Sequence, residues 1–506
     1  MGKQNGMGKR AELAKEMKVF DYFTLGLGAM LGAAWFVLMA GNIEKAGPLG
    51  AALAFLVGGL LLVPIGLAYS EMTSSIPVAG GELGFTYAAF GIKASYSCGW
   101  LLILAYAILC PWEVVAVGSL LGVVFPIFKT YPMYTVVDYV IYAPQFAVEM
   151  ALAIFIIYYN YKGIKNAAKV QTLMTKFMLT CFGIFLVLGL FFGDIDNLKP
   201  LIAAPNEMGQ FGGIAGFLAV LAITPFFYSG FDTIPQAAEE GTLNINFKDM
   251  GKTLTYAIIA GALFYFVLIF IVSMVIPWQE MVNLPVPMAQ LFSLGLGGMF
   301  WKVVQQVVVW GAMAGLITTL NAFFVAATRV VFALGRARMM PERFGEIHPV
   351  HKTPTWATYF VGVLTIIGPF IGKPLIAPFT NVGSLAFILV WVMVAWASLK
   401  LRQDAPSFER PYSMPGGKLM GVLATISGLI VTGVLVIPGS PGALVWPTEF
   451  IMFGAWVLLG LINWHITRER RNEVTEEQRA YHMLGEDIKT RLEIAKQKID
   501  DIKKAS

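Results

Sequence analysis

Windows of about 20 predominantly apolar residues, the length a helix needs to cross the hydrocarbon of a bilayer, recur down the whole of this chain. They lie near 20–41, 49–71, 94–124, 140–160, 169–193, 212–239, 251–277, 300–328, 355–373, 375–399, 419–438 and 447–466. The pattern predicts an all-α polytopic membrane protein with 12 transmembrane helices. Composition agrees: 13% of the 506 residues are charged, against roughly 25% in soluble domains. The first apolar segment is too long for a signal-peptide core and lacks a cleavage site, so it is expected to remain as a span.

An even number of spans puts both termini on one side, and the basic residues say which. Lys3, Lys9, Arg10, Lys15 and Lys18 precede the first span. Lys162, Lys165 and Lys169, then Lys248 and Lys252, then Arg329, Arg336, Arg338, Arg343 and Lys352, then Lys400, Arg402, Arg410 and Lys418 fill connections on that same side. The opposite loops hold little beyond Lys45, Lys129, Lys199 and Lys373. The positive-inside rule therefore predicts cytoplasmic termini in the plasma (inner) membrane. The net charge of +5 serves orientation, with no nucleic acid implied. Four regions follow: a cytoplasmic segment over 1–19, a ten-span core over 20–400, two further spans over 401–466, and a cytoplasmic helical tail over 467–506. In that tail Ile488, Leu492, Ile499 and Ile502 recur at helical spacing, which predicts an amphipathic helix resting on the membrane or the protein.

Cys98, Cys110 and Cys181 lie in apolar stretches, with neither disulfide nor metal-ligand spacing. His348, His351, His465 and His482 fall outside the spans or at their edges. His348 and His351 lack further ligands and read as surface residues. No metal, cofactor or enzymatic chemistry is expected. Glu71 closes the second span and reads as interfacial.

The sixth window breaks at Ser229-Gly230, carries Asp232 just beyond, and ends in Glu239-Glu240. The first contains Gly26-Leu27-Gly28-Ala29-Met30-Leu31-Gly32-Ala33-Ala34-Trp35. Small residues at that density either pack helices closely or mark an unwound segment. Interrupted segments in corresponding positions of two halves are the best sequence pointer to a transporter site, and together they favour an unwound pair. Half-helix ends offer amides to a carboxylate and carbonyls to an ammonium group or cation, so a zwitterionic amino acid or an organic amine fits.

Ionisable residues inside spans are functional candidates by default. Asp232 beside the break suits substrate binding or gating. Glu113, after Cys110-Pro111-Trp112, either holds an ammonium, carries a proton, or sits near the outer interface. Lys176 either supplies a fixed positive charge in place of sodium or snorkels to the cytoplasm. Trp35, Tyr106, Phe226, Phe231 and Trp310 can close over an organic cation or simply pack. Thr318 and Thr319 can help hold a sodium ion, although threonines in membrane helices more often bond their own backbone.

These features resemble the amino acid-polyamine-organocation (APC) superfamily of permeases from about residue 20 to 465. The likeness rests on Phe227-Tyr228-Ser229-Gly230-Phe231-Asp232 through Glu239-Glu240, Pro77-Val78-Ala79-Gly80-Gly81 with Phe90-Gly91, Arg329 through Arg336 with Pro341, His348-Pro349 and Lys352-Thr353-Pro354, and Arg410-Pro411-Tyr412 with Pro415-Gly416-Gly417. The resemblance implies a leucine-transporter-type fold: a 5+5 inverted repeat with helices 1 and 6 broken, plus two further helices. It also implies transport of amino acids or related amines by proton symport or exchange. By position it implies a carboxylate cradle at Gly32, Ala33 and Ala34 beside Met30, a substrate-facing side at Phe226, Ser229, Gly230 and Asp232, and a gating aromatic at Phe231.

The chain departs from that pattern in two places. Its cradle reads Gly-Ala-Ala, without the family's serine hydroxyl, which favours an amine, polyamine or modified amino acid over an ordinary α-carboxylate. Lys176 falls two residues short of the coupling lysine of some relatives, a turn of roughly 200° around a helix. The expected function is secondary transport of amino acids or related amines, with membrane lipid, the substrate and protons as partners. A channel, which needs a continuous polar path, and a non-transporting membrane sensor are the rivals. Oligomeric state is open.

Overall fold

The computed structural model describes residues 10–32, 34–205, 211–284, 287–288, 290–291, 298–440 and 442–505. Apolar windows become helices because a helix satisfies its backbone internally. In chain order these are α1 (Val19–Met30), α2 (Ala34–Ser75), α3 (Glu82–Phe90), α4 (Ile92–Ala107), α5 (Leu109–Val124), α6 (Ala143–Tyr161) and α7 (Ile164–Phe192). Then come α8 (Gly213–Tyr228), α9 (Thr233–Gln236), α10 (Phe247–Val275), α11 (Trp278–Met281), α12 (Gly298–Arg336), α13 (Thr355–Ile371) and α14 (Ile376–Asp404). The last are α15 (Gly417–Val436), α16 (Thr448–Ile466), α17 (Arg468–Asn472) and α18 (Glu476–Ala505).

Ten helices among the described residues are long and apolar enough to cross a membrane, making this a multi-pass membrane protein. The fourth window, 140–160, coincides with α6, which is not among those ten, and the ninth with α13, a shorter apolar helix of 17 residues. The first two windows are joined without a loop: α2 carries the end of the first and all of the second, bending where Gly47 leaves helical geometry at φ 74°. A Cβ there would come within 2.5 Å of the Ala203 nitrogen. The all-α expectation needs one correction. Pro132–Val136 and Tyr139–Tyr142 pair as an antiparallel hairpin, whose Val137-Asp138 turn has positive φ at both positions, the geometry that matches strand twist.

The core is built on close helix contact. α2 lies along α8 and α10, where Gly58 leaves room for Thr224 and Gly59 for Ala262 and Tyr228, the small-residue approach that packing in lipid favours. α1 is held among α7, α10 and α12. Large apolar side chains of α15 and α16, including Leu429, Ile451, Leu458 and Leu461, stay exposed as a lipid-facing surface.

The face carrying Arg10 and the C-terminal helix is closely knit. Glu71, at the end of the second window, is buried within the protein, where Arg402, Arg410 and the Met414 amide close on its carboxylate. The tail rests on the protein: Leu484, Ile488 and Leu492 are buried, Lys496 donates to the Ala88 carbonyl at 3.0 Å, and Tyr87 donates to Glu476 at 2.8 Å. Ile499 is half-buried, and the Ile502 side chain lies outside the described residues. His348 and His351 stack on each other at 4.6 Å. No group of three or more potential metal ligands occurs among the described residues.

Candidate functional site

Both predicted breaks are present. α1 stops at Met30 and α2 begins at Ala34; α8 stops at Tyr228, and the chain turns through Ser229 and Gly230 before α9 starts at Thr233. Gly230 has φ +128°, and a Cβ on it would sit 2.6 Å from the Met30 nitrogen and 2.8 Å from the Ala29 Cβ. The breaks are therefore pressed against each other, and only glycine permits that contact.

Stopping a helix frees its last carbonyls, and three side chains from other helices take them up. Thr318 donates to Gly28 O at 3.0 Å and Thr319 to Ala29 O at 3.3 Å, each also bonding Gly315 in its own helix. The Tyr265 hydroxyl lies 2.5 Å from Met30 O and 3.3 Å from Phe227 O, so one group spans both broken helices. Gly32 packs so tightly on Thr319 that a Cβ would meet its hydroxyl. Ala34 opens α2; Ala33 lies outside the described residues.

Asp232 is fully buried, with both carboxylate oxygens engaged. One accepts from the Gly230 amide at 2.9 Å and the other from the Trp391 indole at 2.9 Å, while Tyr106 donates to the Asp232 carbonyl at 3.0 Å. Phe231 lies against Trp391 at 5.0 Å and Tyr69 at 5.2 Å. The Ser229 hydroxyl turns back to Phe226 O at 2.6 Å, and the Phe226 ring packs on Trp112 at 5.5 Å. Trp35 is buried against Phe182 and Phe185.

Two predicted residues stand apart. Lys176 is exposed with its ammonium 5.4 Å from the Phe20 ring, as a snorkelling lysine would be, because the buried side of α7 presents Gln171 and Thr175 to the Thr24 carbonyl instead. Trp310 is 47% exposed and its ring meets Phe125, a position for packing at the surface rather than closing over the breaks. Glu113 is buried, and one of its oxygens has no partner among the described residues.

Several participants were missed. Glu82 is fully buried and accepts from Gln236, whose amide nitrogen also reaches the Tyr106 hydroxyl at 3.4 Å. Tyr106 in turn holds Asp232, so a polar chain runs from Glu82 to the second break. Burial, with Asp232 nearby, raises the Glu82 carboxyl well above the usual range. A signal existed for two of these: Gln236 follows Asp232 by one helical turn, and Glu82 adjoins the Pro77–Gly81 motif. Tyr265 and Trp391 carried none beyond being aromatic.

Below the second break the two glutamates meet three arginines. Glu239 is bound by Arg10 at 2.8 Å and Arg336 at 2.9 Å, and accepts from the Ala79 amide at 2.9 Å. Glu240 pairs with Arg329, and its backbone carbonyl accepts from Glu16 and Met17. Arg10 also donates to the His482 carbonyl in the tail at 3.3 Å. This face is closed by residues from both ends of the chain.

A sequence profile of the family described as Amino acid permease matches residues 17–462. The chain is 29% identical over 477 residues to a branched-chain amino acid permease of Bacillus subtilis, covering 92% of this chain and 95% of that one. It is 24% identical over 472 residues to a methylthioribose transporter of the same organism, covering 90% and 94%. An aspartate-proton symporter, also from Bacillus subtilis, is 25% identical over 434 residues, covering 83% and 79%. With a profile match over most of its length and two apposed helix breaks in the expected spans, the chain belongs to the amino acid permease family of the APC superfamily.

Proposed function

We propose that this protein is a secondary active transporter of amino acids, working by alternating access around the apposed breaks of α1 and α8. The architecture we assign is the leucine-transporter-type fold, with twelve spans, a five-plus-five inverted repeat in the first ten, and both termini in the cytoplasm of the plasma membrane. The observation that carries this reading is the contact of Gly230 with Ala29 and Met30, bridged by Tyr265. Two unwound segments facing each other bring opposite helix ends to one place, which suits a zwitterion.

The substrate class we favour is an amino acid with an apolar side chain. The Asp232 carboxylate is already engaged by Gly230 and Trp391, which leaves aromatic surface, Phe226 and Phe231, as the main side-chain environment near the second break. The branched-chain permease among the relatives points the same way. Protons are the coupling ion we propose, through Glu82 and the Gln236–Tyr106–Asp232 chain, because Glu82 is a buried carboxyl with one oxygen unpartnered among the described residues.

Counterflow in proteoliposomes tests this. Labelled leucine should enter vesicles preloaded with unlabelled branched-chain amino acids, and an inward proton gradient should drive its accumulation. Glu82→Gln should abolish gradient-driven accumulation while sparing counterflow. Uptake that does not saturate would indicate a channel, and binding without flux a sensor. The Gly32-Ala33-Ala34 sequence supports a second reading, an amine or other substrate without an α-carboxylate, and counterflow by amines alone would select it.

A further inference from the structure

Where the last spanning helix leaves the membrane, the chain concentrates positive charge that the transport reading does not use. α16 ends at Ile466; Arg468 and Arg471 follow on α17, and Arg479 comes back beside them from the first turns of α18. Together with Trp464, His465 and Asn472 they line a pocket of about 340 Å³. Arginines 471 and 479 are 7% and 6% exposed, an unusual degree of burial for two neighbouring cations.

Acidic partners do not balance them. Arg468 and Arg471 take part in no ion pair among the described residues, and Arg479 has only Glu476 at 2.9 Å, a side chain 67% exposed. Arg471 instead donates through one Nη to the Trp464 carbonyl and the Thr467 hydroxyl and sits over the Trp464 ring at 3.5 Å. Arg479 donates to the carbonyls of Arg471 and Val474, yet its buried Nε has no partner among the described residues. Burial, together with Arg479 and Arg468 nearby, pushes the Arg471 guanidinium below its ordinary value. Like charges gathered out of water with a donor left over form a site short of an anion.

We propose that Arg468, Arg471 and Arg479 bind a phosphate group, with an anionic lipid headgroup as its source. Arginine donors match phosphate oxygens in pairs, and the location selects lipid. The pocket begins within the last turn of a spanning helix whose Ile462 and Ile466 remain exposed, so an anion held there sits at headgroup depth, where basic pockets between helices recruit such lipids. Because Arg479 belongs to α18 and Arg471 to α17, directly after the last span, one phosphate would staple the two helices together.

The test uses the full-length protein, purified and reconstituted in phosphatidylcholine bilayers with or without phosphatidylglycerol, with retained lipid counted by native mass spectrometry after mild delipidation. Wild-type protein should retain phosphatidylglycerol in preference to phosphatidylcholine. Arg468→Gln, an exposed position that leaves the buried bonds intact, should reduce that retention about fivefold, whereas Lys418→Gln elsewhere on the same face should not. Inorganic phosphate should displace the retained lipid. If phosphate raises the melting temperature of wild type in detergent but not that of Arg468→Gln, while phosphatidylglycerol is not retained, the anion is free phosphate and the site stands with its lipid source rejected. Equal retention of the two lipids without protection by phosphate, or equal losses in Arg468→Gln and Lys418→Gln, would overturn the site.

Discussion

Arg329 grips Glu240 through two parallel hydrogen bonds, Nε to Oε2 at 2.9 Å and Nη2 to Oε1 at 2.8 Å, with both side chains 1% exposed. The pair ties the end of the second broken segment to α12. Arg329 also donates to the Thr328 hydroxyl at 2.9 Å, but among the described residues its ion pair is with Glu240, so the two charges depend on each other.

Removing one partner should therefore cost more than removing both. Glu240→Gln leaves Arg329 buried without its counter-charge, and we expect a loss of about 3–5 kcal/mol, visible as a lower thermal midpoint in detergent. Glu240→Leu combined with Arg329→Met should recover most of it. If the double variant is as unstable as Glu240→Gln, the pair is not the unit we describe.

Asp232→Asn is expected to lower uptake at least about tenfold while changing folded yield little. The amide can still accept one bond, but its NH2 end would face either the Gly230 N–H or the Trp391 N–H, donor against donor. Uptake indistinguishable from wild type would separate Asp232 from the site.

Tyr265→Phe removes a single oxygen that lies between carbonyls of both broken helices. The cost in stability should be about 1–3 kcal/mol, the range for a buried group left unsatisfied. Counterflow should fall by a larger factor than stability alone explains, because the two breaks lose their common donor. Equal losses in Tyr265→Phe and in Tyr228→Phe, whose hydroxyl bonds Phe55 O, would show that the bridge has no special role.

Docking of the tail should depend on pH. Burial, with Arg336, Arg338 and Arg10 close by, lowers the His482 pKa from its ordinary 6.5. A base whose pKa is lowered in the docked state is held neutral there, so the released tail binds the proton more readily. Docking is then fully stable above 6.5 and weakens as pH falls from there towards the lowered value. Limited proteolysis of the tail should accelerate between about pH 7 and about pH 5.5, and His482→Gln should flatten that dependence.

Much of the fold was legible because lipid removes alternatives: long apolar windows have to become helices, and the Ser229-Gly230 pair has to interrupt one. What the sequence could not show is which helix faces which. Tyr265 and Trp391 matter only because α10 and α14 bring them to breaks lying far away in sequence, and no local pattern distinguishes them from other aromatics. Lys176 shows the same limit from the other side. A lysine within an apolar run reads either as a fixed charge or as a snorkelling one, and its direction around α7 depends on packing against α1, where Gly28 leaves room for Gln171 and Thr175. The burial of Glu71 was hidden for a similar reason, since Arg402 and Arg410 lie more than three hundred residues downstream.

Arg10 reaches Glu239 with one nitrogen and the His482 carbonyl with another, so one arginine near the start of the described chain links the second broken segment to the tail. For the experimenter this is a handle. An antibody fragment that clamps the tail onto residues 10–18 would hold this contact together without touching the helix breaks, and one that peels the tail away would release Arg10 from the His482 carbonyl. Fusion partners placed at either terminus belong to the same category of perturbation, and transport rates from differently tagged versions should be compared with that leverage in mind.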